Sequence, residues 1–285
     1  MPIRWTAAWN KVQRWGSRIW LALVAVFIGI AAYSQPVSWH ELYGWFDFRL
    51  LFISLLLILF GKGLTICLVQ QSLLAFDQRC SFQYAWYAYS IGDISKYLPG
   101  GVWGIAGRLA VYKSSGIPLK LASKILVFET GVLVFVSFLT GVVLIGVNGR
   151  VYLTCGALLV LSCLIYALTI FVPISIGRSA SMIGLQIVSW SIFGASFAVL
   201  GSQTTEVAFH LAGIFNIGFA AGTVVVFAPS GIGIRESVIG FFGGGDVRHL
   251  VEVSVLHRLV WLVCDVIVFM PSTRKMNTWR SGYFG

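Results

Sequence analysis

The sequence predicts an all-α integral membrane protein, with about six transmembrane helices plus two re-entrant helical hairpins in an inverted repeat. Three observations carry that expectation. Of 285 residues, 58% are hydrophobic and 11% charged, too little polar surface for a soluble domain of this size. Apolar runs close to membrane-crossing length recur along the chain. Two glycine-rich breaks, each at a proline, fall at corresponding places in its two halves.

The runs cover residues 19–33, 50–69, 125–147, 151–172, 182–200 and 250–270. A helix rises about 1.5 Å per residue, so about twenty residues cross the ~30 Å hydrocarbon core. Each run is continuously apolar rather than alternating, which suits helices and not barrel strands.

Ahead of the first run, residues 1–18 carry Arg4, Lys11, Arg14 and Arg18 with no acid, interleaved with Trp5, Trp9 and Trp15. Trp5, Trp9 and Val12 share a helical stripe, which predicts a short interfacial helix with its cations among headgroups. No small-x-small site follows the run, so it is read as a retained span and not a cleaved signal peptide. The basic cluster places the N-terminus in the cytoplasm. Arg274, Lys275 and Arg280 place the tail 274–285 there too, on either side of a single transmembrane domain over 19–273. The expected location is the cell (inner) membrane.

The other charges agree with six crossings. Arg49, Arg150 and Arg248 fall outside, while Lys113, Lys120, Lys124 and Arg178 fall inside. Lys62, Lys96, Arg108, Arg235 and Arg258 lie in or against the membrane. The net charge of +10 would suggest nucleic acid in a soluble protein. Here inside retention and anionic headgroups account for it, and no nucleic-acid partner is expected. The five cysteines have no metal-ligand or CxxC spacing, so no disulfide, metal or cofactor is inferred.

The first break, Pro99-Gly100-Gly101, splits a polar, glycine-rich stretch into residues 84–97 and 102–112. As helices these would be about 21 Å and 16 Å long, too short to cross. Proline removes a donor and disfavours helix before it, while glycine permits the turn. A hairpin entering and leaving on the cytoplasmic side is expected. The second break, Pro229-Ser230-Gly231-Ile232-Gly233, separates residues 207–228 from 234–243, the latter about 15 Å as a helix. Charge parity makes this a hairpin entering from outside. The competing reading makes 207–228 a seventh span, which its length allows. Span, hairpin, span then occurs twice in opposite orientation, over about 50–147 and 182–270. Inverted-repeat transporters show that pattern and bind substrate where the broken elements meet.

A charge near the bilayer centre costs about 2.5–3.5 kcal/mol on insertion scales, which makes each buried cation a candidate. Arg108 and Arg235 open half-helices after the breaks, where free N–H groups of Gly100, Gly101, Gly231 and Gly233 and the helix dipole favour an anion. Their guanidinium forks suit phosphate. The expectation is one shared cavity, with Glu129 and Arg258 in its wall and Lys96 or Lys62 near its cytoplasmic mouth. The bland alternative pairs Arg235 with Glu236 or Glu252 and lets Arg108 snorkel. Asp93 and Lys96 are one turn apart and are expected to pair. Glu129, Asp93 and Glu236 are candidates for a coupling proton, with Glu129 alternatively balancing Arg108. Arg258 and Asp265 each need a partner on another helix. His210 and His257 are candidate titrating groups, against the commoner reading of satisfied buried histidines, and Gly218-x-x-x-Gly222 reads as a packing motif.

The stretches Leu98-Pro99-Gly100-Gly101-Val102-Trp103-Gly104-Ile105-Ala106-Gly107-Arg108, Phe128-Glu129, Ala228-Pro229-Ser230-Gly231-Ile232-Gly233-Ile234-Arg235-Glu236 and His257-Arg258 resemble the lysylphosphatidylglycerol synthase transmembrane-region family. The resemblance covers roughly residues 50–270. It implies a flippase that moves an anionic phospholipid or a polyprenyl-phosphate-linked sugar between leaflets, with glycosyltransferase or lipid synthase partners. Family members often carry Glu-Arg where this chain has Glu129-Thr130, so no arginine role carries over there. A soluble aminoacyl-transfer domain is lacking, so synthase activity is not implied and no enzyme is expected.

Two other classes are weighed against transport. A non-transporting scaffold for envelope lipid or polysaccharide assembly needs the same fold but no paired anion site. An intramembrane hydrolase built on Ser230 and His257 lacks the Gly-x-Ser pattern and a legible oxyanion hole.

Overall fold

The computed structural model describes residues 47–97, 103–146, 156, 160, 175–202, 204–224, 231, 233–244 and 247–274. The expected interfacial segment 1–18, the run 19–33, all of the run 151–172 except residues 156 and 160, the turns at Gly100-Gly101 and Pro229-Ser230, and the tail after Arg274 lie outside them. Among the described residues there are eight helices and no strand. In chain order they are α1 Phe48–Ala75, α2 Phe82–Ser95, α3 Trp103–Ser114 and α4 Leu119–Gly146, followed by α5 Ile176–Gly201, α6 Thr205–Val224, α7 Ile234–Phe242 and α8 Val247–Arg274.

Helix starts follow local chemistry. Asp47 accepts a bond from Arg49 N (2.8 Å) to begin α1, and Ser81 accepts from Tyr84 N (3.2 Å) to begin α2. Gly233, at φ +84°, opens α7, and Glu236 reaches back to accept from the Gly233 N–H at 2.8 Å.

Among the described residues, five helices are long and apolar enough to cross a membrane: α1, α4, α5, α6 and residues His249–Ser272 of α8. Four of them match expected spans. The fifth, α6, corresponds to the segment expected as a hairpin arm, and its twenty residues would reach about 30 Å. Apolar side chains face outward in helical rows, among them Phe52, Leu56 and Phe60 on α1 and Val255, Leu259 and Val263 on α8. Such surfaces fit hydrocarbon, not water. The chain is a multi-pass membrane protein.

The short helices are paired. Gly92 of α2 packs on Gly104 and Arg108 of α3, and Gly107 packs on Ser95, so the two run antiparallel. In the second half Gly222 of α6 lies against Gly231, Gly218 against Arg235, and His210 Nε2 meets the Phe242 carbonyl at 2.9 Å. Thus α7 returns along α6 almost to its start. A methyl on Gly222 would fall 3.1 Å from the Gly231 Cα, so these glycines set the closeness of the return. The sequence motif at Gly218 and Gly222 is indeed a packing surface.

The main packed pairs are α1–α5, α4–α6, α5–α6, α2–α3, α6–α7, α4–α5, α2–α8, α7–α8, α1–α2, α1–α8, α3–α4, α5–α8 and α1–α4. Exchanging α1, α2, α3 and α4 for α5, α6, α7 and α8 leaves that set unchanged. The shared core contains Trp190, Phe193, Phe197, Phe215 and Trp261. Small and polar residues let helices approach: a Cβ on Gly61 would sit 2.5 Å from the Phe193 ring, and Ser189 Oγ donates to the Gly61 carbonyl at 3.0 Å.

Candidate functional site

Among the described residues, the candidate charges Lys62, Asp93, Lys96, Asp265, Arg108, Glu129, Glu236, Arg258 and Arg235 form three balanced groups and one residual cation. The largest group joins α1, α2 and α8. Lys62, on α1, donates to Asp93 at 2.6 Å and pairs with Asp265 of α8. Lys96, one turn after Asp93 on the same helix and just past its end, reaches Asp93 at 2.7 Å and Asp265 at 2.9 Å. Two lysines thus alternate with two aspartates. Tyr97 Oη donates to Asp265 at 2.7 Å, and Lys62 Nζ donates to Tyr89 Oη at 3.3 Å. The Trp261 ring lies beneath both ammonium groups, 4.8 Å from Lys62 Nζ and 5.8 Å from Lys96 Nζ.

The expected Asp93–Lys96 pair is present, within a larger cluster. Lys62 differs from expectation. Instead of standing near a cavity mouth, its side chain is wholly enclosed by partners that come from distant helices.

The second group is Arg108 on α3 with Glu129 on α4, joined by bonds of 2.8 and 2.7 Å, with Tyr112 Oη 3.0 Å from the same guanidinium nitrogen. Glu129 therefore balances Arg108. The third is Glu236 on α7 with Arg258 on α8. Arg258 also donates to the Gly231 carbonyl at 3.2 Å. Each half thus has one ion pair tying its shortest helix to the long helix that follows, with the signs exchanged: Arg–Glu in the first half, Glu–Arg in the second.

Arg235 is the residual charge. It is 8% exposed, and among the described residues no carboxylate pairs with its guanidinium and no hydrogen bond reaches its Nε. Glu236, the sequence neighbour offered as a partner, is turned to Arg258. The guanidinium lies over Phe219 and Phe215, at 4.6 and 5.3 Å from their ring centroids. Those rings stand 6.2 and 6.3 Å from Trp261, so the Arg235 floor and the lysine–aspartate cluster share one aromatic wall. The single cavity expected for both arginines would lie where the two breaks meet, and most residues of those breaks lie outside the described residues. Gly231 and Gly233 sit beside Arg235; Gly100 and Gly101 lie outside the described residues.

His257 is enclosed and bonded to Ser196 Oγ at 2.9 Å, so the histidine offered to a hydrolase has another partner; Ser230 lies outside the described residues. Asp265, Tyr89, Tyr97 and Trp261 were not assigned to the site from the sequence. A signal existed: Arg258, Trp261 and Asp265 fall at i, i+3 and i+7, one face of a helix.

Compared with protein-family models and with curated proteins, the chain matches none.

Proposed function

We propose that this protein is a lipid translocase that passes a phosphate-bearing, anionic headgroup between leaflets while the tail stays in the bilayer. Arg235 carries this reading. Each of the other membrane-embedded charges described above has an opposite partner, whereas Arg235 has two aromatic rings. Cation–π contacts are worth about 0.5–2 kcal/mol each and leave the guanidinium donors unfilled. A phosphate oxygen pair fits that planar fork and supplies the missing charge. Its place beside the second break is where transporters with broken helices hold anions.

The architecture supports the same reading. Packing that survives exchange of α1–α4 for α5–α8 favours two repeats, and helices that return to their starting end favour re-entrant hairpins. On this reading α6 and α7 form the second hairpin, since α7 at nine residues spans only about 14 Å. Membership of the lysylphosphatidylglycerol synthase transmembrane-region family is part of the proposal and rests on the break motifs.

The shared ligand chemistry is a phosphate ester, from a phospholipid or a polyprenyl-phosphate sugar. Reconstituted phosphatidylcholine vesicles carrying a trace of tail-labelled phosphatidylglycerol, or of a short polyprenyl-phosphate sugar, separate the two sources. Arg235→Gln should slow flipping at least tenfold in the arm that is the substrate, and Arg235→Lys should restore part of it. Normal flipping of both lipids by Arg235→Gln would make Arg235 structural and overturn the proposal.

A further inference from the structure

We infer that the Lys62–Asp93–Lys96–Asp265 cluster is a proton site, which takes up a proton when an anionic headgroup binds at Arg235. This rests on the translocase reading and adds its coupling ion. Binding and proton uptake would then be linked, each favouring the other.

The geometry makes Lys96 the movable member. Its side chain is 26% exposed while Lys62 and Asp265 are fully covered, and it stands at the end of α2 just before the Pro99 break. It also shares neighbours with the anion site. Trp261 underlies Lys96 and touches the rings that floor Arg235, and Tyr97, the residue after Lys96, is bonded to Asp265. A phosphate on Arg235 competes for Lys96. Once Lys96 turns to the phosphate, Lys62 alone faces two carboxylates, leaving one negative charge where water is scarce. Burial favours the neutral form of a carboxyl group.

The proton comes from the aqueous side and binds a carboxylate oxygen of Asp93, the aspartate with an 18% exposed side chain. One carboxylate becomes one carboxylic acid, and no other bond changes. When the headgroup leaves, Lys96 returns and the proton departs. Other groups facing the cluster are Tyr89 from α2, Tyr97 just past its end and Cys264 from α8, with Arg108 of α3 behind Gly92 and already paired. His257 rests against Trp261, Arg235 lies over the Phe215 and Phe219 rings that neighbour it, and Arg258 is paired with Glu236. Moving one phosphodiester anion with one proton transfers no net charge. Flipping is therefore driven by a pH gradient and indifferent to voltage.

The test uses the purified full chain in weakly buffered detergent, with short-chain phosphatidylglycerol or the soluble polyprenyl-phosphate sugar as probe, binding read by calorimetry and protons by a pH dye. About one proton should be taken up per lipid bound. Asp93→Asn should reduce that ratio to near zero. Lys96→Gln, which leaves the net negative charge in place beforehand, should do so as well and stands in if Asp93→Asn does not fold. Binding without proton uptake overturns the proton site and leaves the translocase reading standing. Uptake that persists in both variants places the proton elsewhere and also overturns it. Failure of the wild-type protein to bind either probe overturns both.

Discussion

Lys62 of α1 and Asp265 of α8 form an ion pair in which neither side chain is reached by solvent. Breaking a buried pair from one side strands a charge, which costs about 3–5 kcal/mol. Lys62→Met should therefore destabilise the fold by about that much in denaturant titrations followed by tryptophan fluorescence. Lys62→Met combined with Asp265→Leu leaves the balanced Asp93–Lys96 pair and should recover most of the loss. A double variant no better than the single would mean that packing, not charge balance, makes Lys62 indispensable.

The Arg108–Glu129 pair is expected to act as a unit. Arg108→Gln and Glu129→Gln should each destabilise, and the double variant should cost less than their sum, with a coupling of about 1–3 kcal/mol. Additive losses would show that the two side chains do not depend on each other.

Two glycines on α4 should respond in opposite directions. Gly131 is exposed, and a Cβ there meets nothing within 4 Å. Gly131→Ala should stabilise by about 0.5–1 kcal/mol through helix propensity alone. A methyl at Gly141 would fall 2.6 Å from the Gly213 carbonyl oxygen of α6, a backbone atom that cannot swing aside. Gly141→Ala should destabilise by about 1–3 kcal/mol. Matching thermal shifts for the two variants would contradict this crossing.

On the proposed reading, opposed hairpins would place the α3–α4 turn inside and the start of α8 outside. In a cysteine-free background, Ser114→Cys should react with an impermeant maleimide only from the cytoplasmic face, and Val247→Cys only from the other. Labelling of both from one side would remove the inverted arrangement.

Burial pushes the Cys80 thiol, between α1 and α2, up to about 11. Only the thiolate alkylates readily, so reaction of Cys80 in otherwise cysteine-free protein should be slow at neutral pH. It should quicken about tenfold per pH unit until the solution approaches that value. A rate that levels off near pH 9 would mean an ordinary, accessible thiol.

Hydropathy made the long helices legible, because a run such as 50–69 has no other solvent that suits it. The breaks were legible too, since proline and glycine act on the backbone where they stand. The partners of the buried charges were harder. Asp93–Lys96 could be read because i, i+3 neighbours meet on any helix. Lys62 showed no local acid, since Asp93 and Asp265 reach it only after α2 and α8 have packed on α1. Nor could sequence order reveal that Glu236 prefers Arg258 over its neighbour Arg235. Adjacent residues on a helix point about 100° apart, so adjacency made them poor candidates for a pair. The aromatic floor of Phe215 and Phe219 was hidden among many phenylalanines that simply face lipid or core.

The exchange of halves relates two seams, α4 with α6 and α2 with α8, yet they are fastened by different means. At the first, Gly141 and Gly213 bring backbone against backbone. At the second, Asp265 is held by Lys96 and Tyr97, and Trp86 Nε1 donates to the Val268 carbonyl at 2.8 Å. One seam works as a hinge pin, the other as a clasp. A hinge pin made of close-packed glycines yields only when atoms are pulled apart along its length. A clasp made of ions is one that a competing charge would loosen, as the proposed anion at Arg235 would.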